Sequence, residues 1–245
     1  ATNLQGLGGA EMAFIMKNLM ERLGYDKFYV QGGDWGGIIC SIMATFFPDI
    51  ILGYHTNFAL VPAELVSRLY PLQFYVQEFG YFHIQAAKPD AIGLCVGKSP
   101  ASIMAWFLHL FSISTGSASR DDPKGGLNMF TPEQLIDNIM LYWVPEKVTT
   151  SIRIYAETFT FRNLDMEYIS APTPVPTVVL QALREVFYFP PAALNTKFTN
   201  LVAVDVLEDY GHFLAMEAPK VFVDKVISGL QKIIDFNKNE LNCTK

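Results

Sequence analysis

The sequence predicts an α/β fold: a mostly parallel sheet with helices on both faces, interrupted once by an inserted helical cap. Three observations carry that expectation. Short β-rich runs alternate with helical periods at both ends of the chain, the pattern of β-α-β units. One such strand runs straight into Gly32-Gly33-Asp34-Trp35-Gly36-Gly37 and then an apolar helix. Between the two ends lies a long aromatic-rich stretch of helical period. The division expected is core over residues 1–60, cap over 61–168 and core again over 169–245.

Taken in order, Met12, Ile15, Met16, Leu19, Met20 and Leu23 recur at helical spacing across Ala10–Leu23, and Gly24 follows as a stop signal. Lys27–Gln31 is short and β-rich, and the glycine turn hands it to the apolar run Ile38–Phe47, which Pro48 should end. Ile50–Thr56 reads as a second buried strand. From about Val61 to Val148 the period is helical, with breaks at Pro62, Pro71, Pro89, Pro100, Pro123 and Pro132. A further helical stretch, Thr149–Phe161, leads through a proline-rich connection to Thr177–Gln181, a compact β-branched strand. Leu201–Leu207 is one more strand, and Pro219–Phe236 closes the chain as an amphipathic helix.

Composition narrows the function. At 51% hydrophobic residues and a mean hydropathy of +0.23, the chain can fill a large core and lacks the composition of a disordered protein. A net charge of -6 with scattered lysines and arginines leaves no basic stripe, which excludes a nucleic-acid partner and favours a neutral or lipophilic small molecule. Cys40, Cys95 and Cys243 are far apart, so neither a metal site nor a disulfide framework is expected. The longest apolar stretch, around Ile103–Ile113, is too short to span a bilayer and contains His109. Residues from Ala1 onward show neither a signal peptide nor an anchor, so any membrane association is expected to come from a segment not present in this chain.

The turn at Asp34 carries the chemistry. Small residues two before and two after a nucleophile let the chain turn tightly enough to display one side chain, and Gly32-x-Asp34-x-Gly36 has that form. A carboxylate is already ionised at pH 7, so a base elsewhere is free to activate water. Attack on an electrophilic carbon would leave an alkyl ester, hydrolysed through an oxyanion for which the Trp35 amide is the natural donor. The same turn also fits a plain βα connection with Asp34 as a helix cap, or a phosphate loop; the motif alone does not choose. Of the four histidines, His55 falls in a strand and His83 and His109 in cap helices. His212, in Tyr210-Gly211-His212-Phe213 after the last strand, stands where a hydrolytic base would follow in chain order.

Tyr29-Val30-Gln31-Gly32-Gly33-Asp34-Trp35-Gly36, Gly80-Tyr81-Phe82-His83-Ile84-Gln85, Lys88-Pro89-Asp90 and Leu141-Tyr142-Trp143 together resemble the microsomal epoxide hydrolases, collinearly over essentially the whole chain. Arg153-Ile154-Tyr155-Ala156-Glu157 and Lys197-Phe198-Thr199-Asn200-Leu201-Val202 are similar to the insect juvenile hormone branch. The resemblance implies an α/β-hydrolase fold of which this chain is the C-terminal half, with the N-terminal strands missing and the first strand left with an open edge. It also implies an endoplasmic reticulum or microsomal location on the cytosolic face. The reaction implied is hydrolysis of a lipophilic epoxide, juvenile hormone being one candidate, to a vicinal diol through an aspartyl ester, with no cofactor and no metal. Matched position by position, Asp34 is the nucleophile, His212 the base, Glu185 its acid partner, and Tyr81 and Tyr155 the donors to the epoxide oxygen. Asp205, Glu208 and Asp209 remain rival acids on the strand and loop leading to the histidine.

The match departs from the family in two places. The second oxyanion amide, from a His-Gly-x-Pro loop, has no counterpart in these residues, and Tyr210 replaces the usual glycine before Gly211-His212. Two other readings therefore stand beside the first: a catalytically impaired relative that binds a lipophilic hormone, and a haloalkane dehalogenase-like hydrolase using tryptophan N–H donors for halide.

Overall fold

The structure, a computed structural model, describes residues 6–61, 72–116, 122–160 and 169–243. The expected breaks at Pro62 and Pro71, the helix end at Phe161 and the cap limit at residue 168 lie outside the described residues. In chain order, α1 (Gly9–Arg22), β1 (Phe28–Gly32), α2 (Asp34–Phe46) and β2 (Ile51–Thr56) come first. Among the described residues six cap α-helices follow: α3 (Leu72–Glu78), α4 (Gly80–Ala87), α5 (Pro89–Val96), α6 (Pro100–Ser114), α7 (Pro132–Trp143) and α8 (Val148–Thr158). The chain ends with β3 (Thr177–Ala182), α9 (Pro191–Lys197), β4 (Leu201–Leu207), the single turn α10 (Leu214–Glu217) and α11 (Pro219–Cys243).

The four strands pair in parallel in the order β1-β2-β3-β4, so among the described residues β1 has one neighbour. The central strand β3, TVVLQA, is buried at every position, as a strand covered on both faces must be, whereas β4 is only partly covered. Pleating divides β2 between two layers. The Tyr54 hydroxyl donates to the Gly37 carbonyl of α2 at 2.7 Å. Its neighbours face α11: a Cβ on Gly53 would meet Ile233 at 2.3 Å, and one on Gly229 would meet His55 at 2.6 Å. Helices therefore lie on both faces of the sheet. Tyr54, Val179, Leu194 and Phe198 are fully buried between sheet and helices, each contributing roughly 1.5–3 kcal/mol of apolar burial.

The cap has a smaller core of its own, built on Val96, Ile103, Ile139, Val148 and Ile152. Three of the prolines expected as breaks are helix starts: Pro89, Pro100 and Pro132 each occupy the first turn of α5, α6 and α7, where a missing N–H costs nothing. Ser99 caps α6 by accepting the Ser102 N–H at 3.1 Å, and Thr131 with Gln134 forms a reciprocal cap on α7. Gly93 lets α5 approach α8, since a Cβ there would lie 2.7 Å from the Thr149 Cα. The closing helix runs past Phe236 to Cys243; its apolar period stops at Ile234, but Asn237 donates to the Leu52 carbonyl at 2.8 Å and holds the next turn on the sheet. Among the described residues no single helix is long and apolar enough to cross a membrane.

Candidate active site

Asp34 stands where β1 gives way to α2, at φ +46°, in the left-handed region that non-glycine residues rarely occupy. The turn is that sharp because two stretches of backbone nearly touch. A Cβ on Gly32 would lie 2.2 Å from the Gly36 carbonyl oxygen, and one on Gly37 would lie 2.5 Å from that of Phe58. Gly36 itself faces open space, so the tight contacts fall on Gly32 and Gly37 rather than on the pair two before and two after Asp34. The Thr56 hydroxyl donates to the Gly32 carbonyl at 2.8 Å and ties the turn to β2. Asp34 is left with its side chain 53% exposed, facing a cavity. The Trp35 amide, in the first turn of α2, has no carbonyl partner within the helix.

The histidine arrives from the far end of the sheet. Its Nδ1 lies 2.9 Å from both oxygens of Glu185, and its Nε2 lies 3.8 Å from Asp34 Oδ1. A carboxylate only accepts, so Nδ1–H donates to Glu185 and Nε2 is turned toward Asp34. Glu185 follows β3, is 4% exposed, and also accepts the Val186 N–H at 2.7 Å, which anchors it. The rival acids are elsewhere: Asp205 pairs with Lys225 and Lys232 of α11, while Glu208 and Asp209 are exposed. Burial works against a proton on His212, but the charges and hydrogen bonds of Glu185 and Asp34 outweigh it and hold the imidazolium well above the ordinary histidine range. His55 is buried without a hydrogen-bond partner, and His83 and His109 are exposed.

Tyr81 of α4 and Tyr155 of α8 join Asp34 and His212 around one cavity of about 230 Å³. Their rings meet edge to face at 6.4 Å, and Tyr155 meets Trp35 the same way at 4.9 Å. Burial, then for Tyr81 the neighbouring Tyr155 and for both the negative charge of Asp34, pushes the two phenols far above the usual tyrosine range, so both stay protonated. Trp35 and Gln85 pull Tyr155 the other way, although the indole N–H of Trp35 makes no hydrogen bond of regular geometry. Gln85 is 4% exposed and accepts the Trp106 N–H at 3.2 Å. Sequence reasoning assigned no role to Gln85, Asn138 or Ser151, all of which line the cavity. A signal existed: each stands one helical turn from a cavity tyrosine, Gln85 from Tyr81, Asn138 from Tyr142 and Ser151 from Tyr155. Among the aromatic residues of the cap, Trp106, Phe107, Phe111 and Tyr142 line this cavity, and Phe79 and Phe82 line a smaller one beside it. Trp143 borders a separate surface cleft, and Phe74 is buried in the main core.

Comparison with known proteins adds ancestry to this geometry. Residues 8–103 match the alpha/beta hydrolase fold family. The chain is 45% identical over 250 residues to the juvenile hormone epoxide hydrolase of Bombyx mori, covering 92% of this chain and 54% of that one. It is 37% identical over 260 residues to juvenile hormone epoxide hydrolase 2 of Ctenocephalides felis, covering 96% and 56%. The crystal structure of the Bombyx mori juvenile hormone epoxide hydrolase superposes with a TM-score of 0.91 at 43% identity, over 97% of this chain and 62% of that one. The chain thus spans about half the length of the curated relatives it matches.

Proposed function

Because this chain belongs to the α/β-hydrolase superfamily and, within it, to the epoxide hydrolases, we propose that it opens a lipophilic epoxide to a vicinal diol through an ester on Asp34. The observation that carries the reading is a half-exposed carboxylate on a strained turn, faced by an imidazole 3.8 Å away and overlooked by two protonated tyrosines in one aromatic cavity. Asp34 attacks a ring carbon, the C–O bond breaks, and Tyr81 and Tyr155 donate to the departing oxygen, which leaves as a hydroxyl. The tyrosine that gave its proton recovers one from solvent. Esterification removes the charge of Asp34, one of the two anions that hold the proton on His212. The imidazolium then releases its Nε2 proton to solvent, balancing the one the tyrosine recovers, and the neutral Nε2 takes a proton from water while Glu185 keeps the ring oriented. The hydroxide formed adds to the ester carbonyl, the Trp35 amide steadies the oxyanion, and collapse releases the diol and restores Asp34.

Juvenile hormone is the proposed substrate from the names of the relatives, and a cavity walled by Trp106, Phe107 and Phe111 suits a lipophilic chain. Location at the endoplasmic reticulum membrane, on its cytosolic face, follows the family resemblance in the same way. One observation favours a second reading: the Trp35 indole N–H makes no hydrogen bond of regular geometry and belongs to a residue lining the same cavity as Asp34, so it could donate to a halide, as a dehalogenase would need. Release of halide from a chloroalkane, with no diol from epoxides, would decide for it.

The test is His212→Gln. With the base removed and the nucleophile intact, incubation with an epoxidised terpenoid ester should trap a covalent adduct of substrate mass on Asp34, read by mass spectrometry of the Asp34 peptide. Normal turnover in that variant would end the proposal.

A further inference from the structure

Glu217, the last residue of α10, is absent from the cavity lining, yet its carboxylate joins the end of a cap helix to the loop that carries His212. Its Oε2 accepts the N–H of Gly116, just past the end of cap helix α6, at 3.1 Å. The same oxygen accepts the N–H of Gly211, the residue before His212, at 3.1 Å. A third bond runs beside these two: the His212 N–H donates to the Ser114 carbonyl at 2.7 Å. The fit is close on both sides. A Cβ on Gly211 would lie 2.3 Å from the Ser114 carbonyl oxygen, and one on Gly116 would lie 2.6 Å from that of Asp209. Next to the joint, Phe111 of α6 stacks on Phe213 at 4.1 Å, and both face the cavity with His212.

We propose that Glu217 is a positioning residue: it locks the end of cap helix α6 to the loop carrying His212 and so sets the imidazole's line of approach to water. The inference rests on reading His212 as the base. Glu185 orients the ring through Nδ1, but a ring can be aimed only if its backbone is held. Here the backbone is held by Ser114 directly and by Glu217 through the preceding amide. One carboxylate oxygen shared by two amides fixes both segments to a single point. Burial raises the pKa of Glu217 above the ordinary glutamate value and the Gly211, Gly116 and Phe213 amides offset only part of that; Oε2 accepts both amide N–H groups whether or not Oε1 carries a proton.

The two steps of the reaction separate this role from a merely structural one. Adduct formation needs Asp34 and the tyrosines; ester hydrolysis needs His212 in place. Glu217→Ala in the full-length enzyme should slow hydrolysis by about 10- to 100-fold, the scale expected for a misplaced catalytic group. Because alkylation is spared, kcat and KM should fall together, kcat/KM should hold, and the Asp34 ester should accumulate at steady state. Glu217→Gln, whose carbonyl oxygen can accept both amides, should recover activity to within about three-fold of wild type. A fall in kcat with KM unchanged would mean loss of folded enzyme and would overturn the proposal, as would unaltered kinetics in Glu217→Ala. Hydrogen exchange supplies a readout independent of turnover: in Glu217→Ala, peptides containing Gly116 and Gly211 should lose protection together. Loss at neither, or at only one, removes the lock. If wild type forms no diol from any epoxide, the reading of the site fails, and the exchange result still decides whether the lock exists.

Discussion

The sheet end and the cap meet at one cavity but contribute unlike things to it. The sheet end brings the charges, Asp34, Glu185 and His212, and holds them by backbone constraint: a residue at φ +46°, glycines with no room for a Cβ, and an acid at the end of a fully buried strand. The cap brings neutral groups, Tyr81, Gln85, Trp106 and Tyr155, held by side-chain packing over a small core of its own. Its outer surface leaves Leu94, Leu141 and Val144 more than half exposed. The difference follows from electrostatics. A charge-bearing group must be placed to a fraction of an ångström, because the energies involved change steeply with distance and burial. A neutral donor on a helix tolerates more freedom, so cap residues can set the shape of the cavity without disturbing the chemistry below it.

Removing a sheet-end group should therefore be catastrophic and removing a cap group graded. Asp34→Ala should cost at least about 10⁴-fold in diol formation and abolish the covalent adduct, since the proposed mechanism forms the ester on Asp34. Residual turnover near wild type would place the nucleophile elsewhere. The cap side is expected to lose less. Tyr81→Phe or Tyr155→Phe alone should leave measurable alkylation because the other hydroxyl remains, and the double variant should lose about 10²- to 10⁴-fold, the usual range for general-acid help. Rapid-quench measurement of adduct formation separates the cases; a double variant as fast as wild type would remove the tyrosines from the mechanism.

The smallest effect expected is on stability, and it again divides the two regions. His55 lies in the sheet core with neither ring nitrogen hydrogen-bonded, and burial depresses its pKa to about 4 from the ordinary 6.5, with Asp205 opposing. The fold thus prefers the neutral ring. Its contribution is fully present above pH 6.5 and is lost as pH falls through 6.5 toward 4, in total on the order of 3 kcal/mol. The described cap histidines, His83 and His109, are exposed. Denaturant melts at pH 7 and pH 4.5 should show His55→Leu losing about 2–3 kcal/mol less than wild type on acidification. Equal losses would mean that the ring finds a partner in the folded protein.

The main elements were legible in the sequence wherever local rules suffice. The apolar period placed α1 and α11, β-branched composition placed β3, and Leu201–Leu207 matches β4 residue for residue. The one-turn α10 and the short α9 were not anticipated, since neither is long enough to show a period. The turn at Asp34 was legible because it depends on backbone sterics within a few residues. Even there, local reasoning assigned the tight contact to Gly36, and the structure assigns it to Gly32 and Gly37, because the obstruction at Gly37 is the Phe58 carbonyl on another segment.

Read alone, then, the sequence determined the α/β alternation and the glycine turn around Asp34, consequences of neighbours in the chain, whereas the acid's position came from the family resemblance. Tertiary structure decided which carboxylate reaches His212, since Glu185 lies 27 positions away while the nearer Asp205 is turned to Lys225 and Lys232. It also decided which faces of the cap helices look into the cavity, and that Glu217 would share one oxygen between Gly211 and Gly116, the latter 101 positions away. Such meetings depend on how layers pack across the whole fold, and no local period or spacing encodes them.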